Sequence, residues 1–425
     1  MARRRLLRAV GPALLLAVGG AYALASYNWC GRWLASPPAI VQSQAGEGPL
    51  RAGAGRVALA PPYPVVRAGY GPPRSSVSSA EIPLHARALI LEQGQLRVAV
   101  VSLELLLVPG PLTEAIREQA ASLQIDELWV TATHSHSAVG AFDQRLLGQV
   151  AATGRFRPEV QQAVVDAAVA SLRLALESLV PARLELGSGE LGPLVRSRVP
   201  SMDPDRRLTR LRVLGPDRPV GEVVVISAHA TMEPRLAEAL SPDYPGWLSQ
   251  QLEGQGGVAL VLMGAVGNSS TAGEAEPEVY AQKVSQQLGA VALSALEPQL
   301  AFARVRASLP RPDASRLVPS LVRRAGENFL CTSAPRTVEV AVLQLGALRL
   351  AAVPGEVTTA AAGAFELETR ARVVSLVNDY VGYVEAPELV AQHQGESRRQ
   401  YFGPELSPRL GEATRLAASE LQRPR

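Results

Sequence analysis

Two histidines stand two residues apart in WVTATHSHSAVGAF, at His134 and His136, in a chain with only five histidines. The preceding run is apolar and reads as a strand turning into a loop. Side chains at i and i+2 of a strand share a face, so two imidazoles flanked by Thr133, Ser135 and Ser137 serve one surface. Imidazole is the commonest metal ligand and the side chain that titrates nearest neutral pH. A metal needs three or four ligands, so other segments must supply the rest. Four further strand-like runs end in suitable groups. VVVISAHATME delivers His229, LRLAAVPGEVTT delivers Glu356, VVSLVNDYVGYVE delivers Tyr380 and Tyr383, and VALVLMGAVGNSST places Ser269 and Ser270 on a glycine turn. Each also has an ordinary reading: a core histidine, a carboxylate at the start of a helix favoured by its dipole, a half-buried tyrosine. Their shared placement at strand C-termini is where ligands gather in open sheets, and it argues for one common site.

The elements that must position these groups alternate. HARALILEQGQLRVAVVSLELLLV reads as two strands with a turn at Gln93-Gly94. PLTEAIREQAASL and RPEVQQAVVDAAVASLRLALESL read as helices, the second amphipathic. ELWVTATH, ARLELGSGEL, RLTRLRVL, GEVVVISAHAT, GVALVLM, TVEVAVLQLG, LRLAAVPGE and RVVSLVNDYVGY read as strands, and PEVYAQKVSQQLGAVALSAL and SPRLGEATRLAASEL as helices. Strands and helices alternate while hairpins intrude. This predicts an α/β class, a layered mixed β-sheet domain with flanking helices. No repeat, low-complexity block or long linker divides residues 50–425.

Composition narrows the classes. The chain has 425 residues, 47% hydrophobic and 4% aromatic, with a formal net charge of +3. That balance excludes a nucleic-acid protein built on basic patches interleaved with aromatics. Lys283 is the only lysine and lies outside any glycine-rich loop, which removes Schiff-base and phosphate-loop chemistry. Cys30 and Cys331 are too few for a disulfide framework or a cysteine-rich zinc site; one bridge between them is open. MARRRLLR precedes a long stretch without charge. Residues 1–27 are therefore expected to be a signal sequence or membrane anchor, 28–49 a tether rich in Pro, Gly and Gln, and 50–425 the globular body, exported and membrane-anchored or secreted after cleavage.

The motifs resemble, in order, those of the neutral (non-lysosomal) ceramidases: AGRVALAPPYPVVRAGYG, LHARALIL, THSHSAVGAF, RSRVPSMDPD, SAHATM, GAVGNSST, PGEVTT and NDYVGYVEAPEL. The resemblance spans about 50–410 and implies the fold of that family's catalytic domain, here without its C-terminal β-sandwich. It implies a zinc amidase that splits the N-acyl bond of ceramide. The zinc ligands would be His134, His229, Glu356 and Tyr383, a nitrogen and oxygen set suited to zinc. His136 would handle protons and contact substrate, Ser270 would take the place of the active-site serine, and Arg196 and Gly69 would contact the substrate near the scissile amide. The chain departs from the family pattern at Asn268, Thr271 and Ala138-Val139, and it lacks a tyrosine near Gln394 and Gly395. These departures touch the substrate side more than the metal side. The expected partners are a ceramide-like lipid and a membrane surface. An amidase on another N-acyl lipid or amino-acyl compound, and a membrane-tethered binding protein that has lost turnover, are the alternatives.

Overall fold

The computed structural model describes residues 19, 20, 22, 23, 27, 28, 30–72 and 74–423. Most of the basic and apolar N-terminal segment read as a signal or anchor lies outside the described residues. Among the described residues no helix is long and apolar enough to cross a membrane.

Three five-stranded sheets form the body. In the first, Glu127–Ala132, Leu96–Leu103, His85–Gln93, Leu50–Ala58 and Val180–Pro181 lie side by side. The second runs Val258–Met263, Pro219–Ile226, Arg207–Leu214, Arg183–Glu190, Ser294–Leu296, and the third Ala39–Ala45, Leu300–Ser308, Thr337–Leu345, Leu348–Ala352, Arg372–Val374. Each sheet is antiparallel except for one parallel pair: Leu96–Leu103 with Glu127–Ala132, Pro219–Ile226 with Val258–Met263, and Leu348–Ala352 with Arg372–Val374. Parallel neighbours need a crossover. Helices Gly110–Gln119, Asp243–Glu253 and Thr359–Thr369 supply the three. The strands of these pairs are buried along most of their length, as ELWVTA shows by being buried at every position; strands covered on both faces show little alternation. The expected hairpin forms with Gly94 in the left-handed region (φ 62°) at its turn.

The sheets share a core. Trp129 of the first sheet, Leu260 of the second, and Phe302 and Leu343 of the third belong to one buried cluster. The three sheets therefore meet at common apolar surface, beside two further buried clusters. The mixed α/β layering is as expected.

Three expectations need correction. The stretch 28–49, read as a tether, contains the edge strand Ala39–Ala45, antiparallel to Leu300–Ser308. Its Gln and Ser residues are tolerated because an edge strand keeps one side in solvent, and the flanking Pro and Gly masked the pattern. Helix Pro277–Gly289 ends earlier than read, and Ser294–Leu296 joins a sheet. Residues 375–382, read as a continuing strand, are irregular, with Leu376 and Asn378 in the left-handed region. Cys30 and Cys331 are joined by a disulfide across 301 residues, which ties the N-terminal stretch to helix Arg323–Ser333.

Candidate metal centre

The three strand-helix-strand units all open toward one place. His134 follows the second strand of the first unit, His229 the first strand of the second, and Glu356 and Tyr383 the two strands of the third. Short pairings lock the loops together: Ser135 bridges Ala230, His229 bridges Ser270, and Glu356-Val357 pairs with Tyr383-Val384.

Four side chains converge. Nε2 of His229 is 3.0 Å from Oε2 of Glu356 and 3.2 Å from the Tyr383 hydroxyl, and Nε2 of His134 is 3.2 Å from the same Glu356 oxygen. His136 points Nε2 to within 3.4 Å of Nε2 of His134. Both buried imidazoles are fixed from behind. Nδ1–H of His134 donates to the Leu106 carbonyl (2.7 Å) and Nδ1–H of His229 to the Ser269 carbonyl (3.0 Å). That arrangement fixes the tautomer and leaves each Nε2 lone pair facing the centre, the usual anchoring of a metal-ligating histidine. His134 adopts a left-handed backbone (φ 63°), a conformation that costs free energy and is retained where the surroundings demand it.

Electrostatics agree with this placement. Burial and the neighbouring His134 lower His229 to about 4, and burial with both other imidazoles holds His136 well below its usual value. Both are thereby kept neutral near pH 7. Burial opposes ionisation of Glu356, but His134 and His229 outweigh it and hold the carboxyl well below the usual range. Burial and Glu356 raise Tyr383, against the pull of Arg198 and Arg399. Those two guanidinium groups donate to the Tyr383 oxygen at 3.0 and 3.1 Å.

The donor set fits zinc. Ligand atoms about 2.0–2.1 Å from a tetrahedral zinc lie roughly 3.3 Å apart, and three of the separations here are 3.0–3.2 Å. Glu356 is not consumed as a helix cap, because Thr358 caps Thr359–Thr369. His134, His136 and His229 also form a cluster able to hold a metal ion.

A cavity of about 490 Å³ opens beside this centre. His134, His136, Glu356 and Tyr383 line its polar end, and Leu106, Leu107, Leu147, Leu317 and Pro335 contribute apolar wall. Gly69 lines it with its backbone in the left-handed region (φ 108°), packed so close to His136 that a methyl group there would overlap the His136 backbone. Ser270 is buried beside His229 but does not line the cavity. Arg196 does not line it either: it is exposed, on a short strand opposite Ser270. The arginine of the RSR motif that reaches the cavity is Arg198, two residues on, where the irregular backbone after Ser197 turns it inward; Arg145 and Arg399 line the cavity as well. Arg198 also donates to the Gly267 carbonyl and pairs with Glu396 (3.1 Å). Sequence reasoning did not single out Arg198 or Arg399. The first carried a signal in its motif, whereas the second, in SRRQY beyond the expected loop, carried none. Arg399 comes from the neighbourhood where the expected tyrosine is absent.

Residues 53–201 match the family described as neutral/alkaline non-lysosomal ceramidase, N-terminal. The fold is that of neutral ceramidase. The neutral ceramidase from Pseudomonas aeruginosa superposes with a TM-score of 0.77 at 18% identity, covering 88% of this chain and 74% of that one. A ceramidase complexed with C2 superposes with a TM-score of 0.76 at 18% identity, covering 88% and 75%. The resemblance carried by the sequence motifs is therefore borne out for the family signature and for the fold.

Proposed function

We propose that the chain is a zinc-dependent amide hydrolase that cleaves the N-acyl bond of a ceramide-like lipid, releasing a sphingoid base and a fatty acid. One observation carries this reading. His134, His229, Glu356 and Tyr383 converge at the polar end of a cavity whose remaining wall is largely apolar. The family match over residues 53–201 and the names of the similar structures support the substrate class. Zinc held by those four residues would supply Lewis acidity and lower the pKa of water toward about 7.

The rest of the chemistry falls to the chain. The apolar wall holds the acyl tail and keeps bulk water from the amide. Arg198 and Arg399 place fixed positive charge where the amide carbonyl oxygen gains negative charge as water adds to its carbon, which is preorganised stabilisation. His136 is neutral and its Nδ1 is buried without a hydrogen-bond partner. It is free to take the proton from the attacking water and return it to the departing nitrogen as the C–N bond breaks. Ser270, held against His229, is a positioning residue in this scheme.

The double guanidinium around Tyr383 favours a second reading within the same chemistry, an N-acyl amine carrying a carboxylate, which two arginines recognise. Export of the body is part of the proposal. It is supported by the basic start before an uncharged stretch and by the Cys30–Cys331 disulfide, which persists in oxidising compartments.

The test is metal content and product release by the purified chain. About one zinc per chain is expected. Fatty acid release from ceramide should be lost on chelation and restored by zinc, and Glu356→Gln should lose both metal and activity. A chain that binds no zinc would sink the proposal. A zinc-loaded chain that spares ceramide but cleaves N-acyl amino acids would favour the second reading.

A further inference from the structure

The apolar end of the cavity opens between two surface elements that also carry the most conspicuous exposed apolar side chains near it. On one side, helix Leu146–Gly148 continues into the turn Gln149–Thr153 and exposes Leu146 (51%) and Val150 (54%). On the other, the segment leading into helix Arg323–Ser333 exposes Leu317, Leu321 (78%) and Val322 (46%). Leu147, Gly148 and Ala151 from the first element and Leu317, Ser333 and Ala334 from the second line the cavity. Leu317 itself lines the cavity, and Leu146, Val150, Leu321 and Val322 are exposed on the same two stretches of chain. Exposed apolar residues scattered singly need no explanation, but such a group around a cavity mouth does.

Two independent features say what covers it. The first is charge. Arg311, Arg316, Arg323 and Arg324 gather beside the Leu321-Val322 turn against the carboxylates Asp313, Glu327 and Glu405. Arg311, Arg323 and Arg324 remain substantially exposed even though all three reach Glu327. The second is chain connection. Cys30, at the end of the uncharged N-terminal stretch, is bonded to Cys331 in helix Arg323–Ser333. Arg311 donates to the Asn28 side chain and Asn328 to the Tyr27 carbonyl. Residues 27–30 are thus joined to the helix whose last residue, Ser333, lines the cavity.

We propose that this rim, formed by Leu146, Val150, Leu317, Leu321 and Val322 with the arginines behind it, is a docking surface for a lipid bilayer. It seats the cavity mouth in the interface so that an acyl chain passes from lipid into the cavity without crossing water. Apolar side chains inserted at headgroup depth with basic residues behind them are the composition that such surfaces need. The inference concerns the surface and not the reaction; it stands or falls on binding, whichever amide the site cleaves.

The experiment places tryptophan on the full chain at Leu321, or at Leu174 on helix Pro158–Glu177, no residue of which lines the cavity. Both positions are exposed enough for the fold to tolerate the change. Vesicles of phosphatidylcholine and phosphatidylglycerol with brominated acyl chains are then added. Expected is a blue shift and strong quenching of the added emission for Leu321→Trp, with little change for Leu174→Trp. In the same assay Leu321→Asp combined with Val322→Asp should abolish quenching of a tryptophan placed at Val150. Equal responses at Leu321 and Leu174, or no response at Leu321, would overturn the proposal. So would an emission at Leu321 that is already blue-shifted before lipid is added, which would assign the face to the N-terminal segment or to a second copy of the chain.

Discussion

At the scale of single residues, the division of labour between His134 and His136 is decided by what lies behind each ring. His134 has its Nδ1 fixed on a backbone carbonyl, while the Nδ1 of His136 has no partner. A ligand lost costs metal and turnover together; a proton carrier lost costs turnover alone. His134→Ala is expected to lose its zinc, and His136→Ala to keep most of it while hydrolysing about 10²–10⁴-fold more slowly. Metal analysis beside kcat checks this, and the reverse pattern would exchange the two roles. Asp143, in the cavity wall, gives a pH prediction. Burial raises its carboxyl to about 6, against the Arg145 backbone N–H and charge. The folded chain then holds a proton up to about pH 6 that an unfolded chain releases near 3.8. The stability this contributes is complete at low pH and is lost as pH rises through about 6. Asp143→Asn should therefore raise stability at pH 7 by up to about 3 kcal/mol, with the gain vanishing by about pH 4. A gain that is the same at both pH values would refute the assignment.

At the scale of elements, three strand-helix-strand units do the positioning. Each brings the carboxyl ends of two parallel strands to the same side, and the candidate metal centre draws on all three. The loops between units add contacts that no strand supplies. Gly69 is the clearest case. Its left-handed backbone and its packing on the His136 backbone leave no space for a side chain. Gly69→Ala must move either its own loop or the His136 segment. The variant is expected to keep its zinc, because His134 and His229 are anchored elsewhere, and to lose at least about tenfold in kcat by displacing a proton carrier. Parent activity with parent metal content would show that the close packing has no catalytic consequence.

At the scale of the whole molecule, the sheets pack through one shared cluster, while the N-terminal stretch is held by separate means. Trp33 donates to the Leu309 carbonyl (2.8 Å), Arg336 lies over its ring, and Cys30 is bonded to Cys331. A bridge closing so long a loop restricts the unfolded chain strongly, by roughly 2–4 kcal/mol. Cys331→Ser should lower the unfolding midpoint correspondingly, as should reductant added to the parent, while zinc content stays unchanged. An unchanged midpoint in both would mean that the bridge adds nothing to the stability of the body.

The sequence by itself determined the pieces. Apolar runs marked the strands, and the polar groups that end them marked the candidate ligands, because the period of a strand and the chemistry of a side chain are local properties. His134, His136, His229, Glu356, Tyr380 and Tyr383 were legible in this way, the family resemblance singled out His134, His229, Glu356 and Tyr383, and these four do converge. The strand Ala39–Ala45 was not legible, since an edge strand needs only half an apolar pattern. Only the tertiary structure decided which arginine of the RSR motif lines the cavity. Arg196 and Arg198 share one motif, and the inward turn of the chain after Ser197 is made by packing against Gly267 and Glu396, residues far away in sequence. Arg399, the Cys30–Cys331 pairing and the apolar rim of the cavity depend in the same way on segments that meet only when three sheets close around one core.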